Sequence, residues 1–219
     1  VKAVLFDLDN TLVDFHALKD DCVRAMAGAL HDAGIKRDPK SIAEKLWQIY
    51  DEYGWEDQTI LQKYFENEFG AVDWRAFAHA VVAYRKIKSA RLRPYAGVKR
   101  TLLKLRERGM RLGVVSDAPR LQAWIRLVEL GLDEYFDLVV SFDDTGEKKP
   151  SVKPFERALA LLKMPACEVL FVGDSASKDI GGARKAGMKT CLALYGSGDS
   201  GAAKADCQAE SFEDLLSLA

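Results

Sequence analysis

The sequence predicts an α/β protein: a parallel sheet covered by helices on both faces, with a block of helices inserted after its first strand. Three observations predict it. Short apolar runs recur at residues 4–6, 112–115, 138–140, 169–172 and 190–194, and such unbroken runs suit strands buried on both sides. From about Arg91 onward these runs alternate with single helical stretches, a rhythm that implies right-handed crossovers and a parallel sheet. Between Asp14 and that point the pattern is helical throughout, so residues 15–89 read as a separate helical domain, and residues 1–14 with 90–219 as the sheet domain.

Each element has a local reason. Val4-Leu5-Phe6 forms a first strand that runs into Asp7-Leu8-Asp9-Asn10-Thr11. In the helical block, Leu18, Cys22, Met26 and Leu30 make one apolar stripe before Gly34. Ser41 with Glu44 reads as a capping box opening a helix with Ile42, Leu46, Ile49 and Tyr53 on one face. Leu61, Tyr64, Phe65 and Phe69 predict a third helix stopped by Gly70, and Asp73 begins a fourth through Trp74, Phe77 and Val81. Four short helices suffice for a small bundle, whose core the many aromatics would fill. In the sheet domain, helices are expected at 98–108, 121–130, 155–162, 180–186 and 212–218. The stretch from Asp143 to Pro150 reads as a polar loop and that from Gly196 to Gly201 as a mobile one.

Composition narrows the function classes. A formal net charge of -1 gives no general electrostatic pull toward nucleic acid or an anionic membrane. The longest apolar runs fall far short of a bilayer span or a secretory leader, so a cytoplasmic protein is expected. Cys22, Cys167, Cys191 and Cys207 contain no C-x-x-C pair, which argues against a disulfide framework or zinc site, and His16, His31 and His79 lack ligand spacing.

The polar residues are what carry chemistry. If the first strand continued, alternation would put Asp7 and Asp9 on one side. Two carboxylates about 4 Å apart repel by roughly 4 kcal/mol at an effective dielectric near 20, so a cation, a proton or a basic neighbour must compensate. The second strand is followed by Ser116, the third by a loop holding Lys148 and Lys149, and the fourth by Asp174. In parallel α/β sheets ligands bind beyond the carboxyl ends of the strands, and all these groups fall on that rim. Hard oxygen ligands suit Mg²⁺, which borrows phosphate oxygens to complete its shell. Carboxylates, a hydroxyl and an ammonium are a set for phosphoryl transfer.

Four segments, in order, resemble the motifs of the haloacid dehalogenase superfamily: Phe6-Asp7-Leu8-Asp9-Asn10-Thr11-Leu12, Val115-Ser116-Asp117, Lys149-Pro150 through Phe155, and Val172-Gly173-Asp174-Ser175 through Asp179-Ile180-Gly181-Gly182-Ala183. The resemblance implies a three-layer Rossmann-like core with a C1-type helical cap, of the phosphatase type. It implies that Asp7 is the nucleophile and that Asp9 is the acid/base. Mg²⁺ would be held by Asp7, the Asp9 carbonyl and Asp174. Ser116 and Lys149 would bind the phosphoryl oxygens, and Asp179 would orient Lys149 or a metal-bound water. An acid at position 9 favours phosphate-ester chemistry over dehalogenation. Asp117 stands where many members have Asn, and Ser151-Val152 replaces a frequent Asp-Pro.

The expected activity is Mg²⁺-dependent hydrolysis of a small phosphorylated metabolite, phosphoglycolate-like or a sugar phosphate, by a monomer or homodimer. A phosphomutase of the same family is the nearest alternative. A receiver-like signalling module and a binding protein on an inactive hydrolase scaffold are the others; the long insert and the paired aspartates speak against the former.

Overall fold

The computed structural model describes residues 1–196 and 204–218. Beyond Gly196, the loop expected to be mobile lies outside the described residues. The chain forms two compact units, Val1–Phe15 with Arg93–Ala219, and His16–Leu92.

The first unit is a six-stranded, wholly parallel sheet in the order β3-β2-β1-β4-β5-β6. Its strands are β1 (Ala3–Phe6), β2 (Arg111–Val115), β3 (Leu138–Val140), β4 (Val169–Gly173), β5 (Lys189–Ala193) and β6 (Cys207–Ala209). The chain runs outward from β1 through β2 to β3, then returns to lay β4 on the other side of β1. That reversal opens a crevice at the carboxyl ends of β1 and β4, the ordinary place for a ligand in such a sheet.

Alternation along β1 sends Leu5 to one face and Phe6 to the other. Leu5 packs with Val115 and Phe171 under Phe155, Ala158 and Leu162 of one helix (Lys153–Leu162) and Ala183 of a shorter one (Gly181–Lys185). On the opposite face Phe6 stacks on Phe212 at 5.5 Å and meets Phe136 edge-on at 6.2 Å. Each such side chain removed from water contributes about 1.5–3 kcal/mol.

Three details of this unit depart from expectation. β6 was not anticipated; it adds in parallel to β5 with Cys191 opposite Cys207. The polar loop contains a one-turn helix, Phe142–Thr145, whose capping box is Ser141 with Asp144. The helix expected at 180–186 begins instead as a wide π-type turn over Ala176–Ile180 and is α-helical only over Gly181–Lys185.

The second unit contains four helices: α1 (Phe15–Asp32), α2 (Pro39–Tyr53), α3 (Ile60–Phe69) and α4 (Trp74–Arg91). The α2 cap is Asp38, not Ser41: its carboxylate accepts from the N–H groups of Lys40 and Ser41 at 3.0 and 3.2 Å, and Pro39 takes the first helical position. Asp73 caps α4 as expected, accepting from Arg75 N and Ala76 N. Tyr64 and Phe65 are wholly buried, but Trp74 is 68% exposed, so the aromatics divide between core and surface. Buried among the rings is Lys19, whose Nζ donates to the Trp55 carbonyl at 3.0 Å and lies 4.2 Å from the Tyr50 ring centroid.

All four cysteines are free. Among the described residues no helix is long and apolar enough to cross a membrane.

Candidate active site

Sheet pairing of β1 stops at Phe6, although Asp7 N still donates to Val172 O at 2.9 Å. The chain then turns sharply. Asn10 adopts φ 60°, a left-handed conformation that Asn tolerates better than most residues, and its N–H donates to Val13 O at 2.7 Å. The extended alternation that would have put Asp7 and Asp9 side by side therefore ends before Asp9. Asp7 is buried against Lys149, whereas the Asp9 carboxylate pairs with Arg126 at 2.9 Å.

Lys149 is the hub of the buried rim. Its ammonium donates to Asp7 Oδ1 at 2.5 Å and to Asp179 Oδ1 at 2.7 Å. Its backbone N–H donates to Asp117 Oδ1 at 2.8 Å, tying the loop after β3 to the loop after β2. Asp179 comes from the wide turn after β4. The N-cap of that turn is Ser175, whose Oγ accepts from Lys178 N. The second oxygen of Asp179 accepts from Ser175 N at 3.0 Å, returning the bond to the cap residue while the first holds Lys149. Two glycines make room: a Cβ at Gly173 would lie 2.5 Å from the Asp179 side chain, and one at Gly196 would lie 2.4 Å from the Asn10 carbonyl and 2.5 Å from the Asp174 Cβ.

Asp174, at the end of β4, completes a group of three buried carboxylates. Asp7, Asp174 and Asp179 can each place an oxygen within 4.8 Å of the others. Burial raises the Asp7 carboxyl well above the usual carboxylate range; Lys149 opposes this, while Asp179, Asp174 and Asp9 add to it. Burial and Asp179 push Asp174 up to about 6. For Lys149, burial alone disfavours the charge, but Asp179, Asp7 and Asp117 outweigh it and hold the ammonium protonated. When all are ionised, three carboxylates face one ammonium, leaving two negative charges uncompensated. This all-oxygen, doubly negative cradle fits one hard divalent cation. Both Asp179 oxygens are engaged by Lys149 and Ser175, so Asp7 and Asp174 are the better side-chain ligands.

Ser116 is buried at the end of β2, where its Oγ accepts from Ala118 N at 3.2 Å. Arg120 is tied down on the surface, with its side chain on Asp144 and its N–H on Asp143. Lys148 lies over the Phe142 ring. The residue that sequence reasoning missed is Arg126. The signal was present, for it falls on the helix face of Ala123, Leu127 and Leu130, a face a charged residue enters only when paired.

The chain matches the family model described as haloacid dehalogenase-like hydrolase over residues 4–193. It is 35% identical over 192 residues to the glyceraldehyde 3-phosphate phosphatase of Methanopyrus kandleri, covering 87% of this chain and 82% of that protein. It is 32% identical over 200 residues to the phosphoglycolate phosphatase of Neisseria gonorrhoeae, covering 91% and 82%. Among solved structures it is similar to a HAD phosphatase of Thermococcus onnurineus, with 26% identity, a TM-score of 0.74 and coverage of 100% and 97%. The family match encloses the whole buried rim from Asp7 to Asp179, and the chain belongs to the haloacid dehalogenase-like hydrolases and, within them, to the phosphatases.

Proposed function

We propose that the chain hydrolyses a short, cytoplasmic phosphate monoester with Mg²⁺, carrying the phosphoryl group on Asp7. The observation that supports it most directly is the buried Lys149 ammonium shared by Asp7 and Asp179 beside Asp174. Asp7 attacks phosphorus, and its new P–O bond forms as the ester P–O bond breaks. Asp9 gives a proton to the departing oxygen. Water then attacks the acyl phosphate while Asp9 takes a proton from it, releasing inorganic phosphate and restoring the Asp7 carboxylate.

Asp7, the Asp9 carbonyl and Asp174 would hold Mg²⁺, which when bound neutralises charge on the carboxylates and on the phosphoryl group. Lys149 and the Ser116 hydroxyl donate to the phosphoryl oxygens, where charge is redistributed in the transition state. Asp179 keeps Lys149 aimed at Asp7. Residues 15–89 are assigned as the cap that selects the leaving group. The substrates named for the two relatives are both short phosphate esters, which supports a substrate of that size here.

The test is release of inorganic phosphate from p-nitrophenyl phosphate, glyceraldehyde 3-phosphate and phosphoglycolate, with Mg²⁺ and with chelator, by wild type and Asp7→Asn. Mg²⁺-dependent release that Asp7→Asn abolishes is expected; equal rates in the two proteins would refute the nucleophile. A phosphomutase would convert a hexose phosphate to its isomer with little phosphate released.

A further inference from the structure

We propose that Arg126 is a positioning residue that fixes the Asp9 carboxylate for proton transfer. The inference rests on the assignment of Asp9 as acid/base. Arg126 is only 4% exposed, on the buried face of the helix Arg120–Leu130. Removing a guanidinium from water is costly unless its partners are close and well aligned, so a buried arginine needs a reason. Here Nη1 lies 2.9 Å from Asp9 Oδ2, and the guanidinium carbon sits 4.0 Å from the centroid of the Phe15 ring. The ring holds the planar group from one face while the ion pair holds its edge.

Asp9 lies beyond the last ladder pair of β1 and before the left-handed Asn10, where a bridge to Val13 holds its backbone and the ion pair with Arg126 holds its carboxylate. Its carboxylate is not part of the Asp7, Asp174 and Asp179 group. A general acid must meet the leaving oxygen within hydrogen-bond reach, and a misplacement of about 1 Å costs on the order of 10² in rate. The helix carrying Arg126 follows the Ser116 loop. One rigid element thus links the phosphoryl-binding rim of β2 to the carboxylate that serves the leaving group.

The experiment measures kcat/KM of the full chain with Mg²⁺ over phosphate monoesters whose leaving groups run from p-nitrophenol to a simple alcohol. Arg126→Met keeps an apolar stem against Phe15 and removes the charge. The expected loss is on the order of 10²-fold on the alkyl ester, which needs a proton, and threefold or less on the nitrophenyl ester, which does not. Arg126→Lys should recover part of the alkyl activity. Asp9→Asn is the reference: a leaving-group dependence no steeper than wild type in that variant sinks the assignment of Asp9 itself. If Asp9→Asn is steeper but Arg126→Met loses activity equally on all esters, or on none, Arg126 only anchors its helix and the proposal falls alone. Should Arg126→Met lose its cooperative melting transition, Arg126→Lys is read on the same slope, where a steeper dependence than wild type supports the proposal and an unchanged slope overturns it.

Discussion

The two units bury polar groups in opposite ways. The sheet unit hides Asp7, Ser116, Lys149, Asp174 and Asp179 in the segments that follow its strands, with Arg126 brought in from a helix, whereas among the described residues between 16 and 92 the buried charged side chain is Lys19. The difference follows from backbone geometry. Where strands end, the chain enters loops, and side chains there turn toward one another and not into the hydrocarbon layers. In a small helical bundle the interior is lined by whole helix faces, and it is filled by rings such as Tyr64 and Phe65. Substitutions in the first region should therefore register in the rate, and in the second as stability.

The largest effect that tests this contrast is Asp7→Asn, expected to lower kcat on p-nitrophenyl phosphate by about 10⁴ or more while leaving the melting temperature unchanged or higher, since one buried charge is removed from a crowded set. A variant that melted several degrees lower would break the contrast. Lys149→Met should cost about 10²–10³ in rate. It should also cost stability, by about 3–5 kcal/mol in urea titration, because Asp7 and Asp179 lose their shared cation. This is the position where rate and stability are expected to fall together.

The pH dependence comes next. Asp174 is raised to about 6 from an ordinary 3.8, so it binds its proton more tightly folded than unfolded. Its contribution to stability is full below pH 3.8 and is lost as pH rises through 6, by about 3 kcal/mol. Asp7 is raised in the same sense and deepens the loss. Metal-free protein in chelator should melt lower at pH 7.5 than at pH 5, and Mg²⁺ should narrow the gap; a metal-free protein more stable at pH 7.5 would contradict the charge crowding. The smallest effect belongs to the bundle. The buried Tyr64 hydroxyl has no hydrogen-bond partner among the described residues, so Tyr64→Phe should stabilise by about 1 kcal/mol or be neutral, with kcat unaltered.

Legibility of the fold in the sequence tracked how many residues shared one signal. β1 to β5 were legible because several consecutive apolar residues end in polar ones. β6, Cys207-Gln208-Ala209, is too short to show either alternation or an apolar run. The Asp38 cap was hidden by the Ser41 and Glu44 pair, although Pro39 marked the true first turn. At the rim, Asp7, Ser116, Lys149 and Asp174 could be placed because each follows a strand. Arg126 follows no strand, and its signal was only its place on the apolar face of Ala123, Leu127 and Leu130, which does not name the carboxylate it pairs with. Asp179 follows no strand directly, and that its two oxygens meet Lys149 Nζ and Ser175 N is seen only once the wide turn after β4 is folded.

Gly173 carries a consequence for how such a site changes over generations. A single methyl group there would collide with Asp179 at 2.5 Å, and Asp179 is what holds Lys149 in place. The residue with no side chain is thus bound to the charged ones as tightly as they are to each other. In a library selected for activity, position 173 should show the same mutational intolerance as Asp7, and innovation would have to enter through other positions.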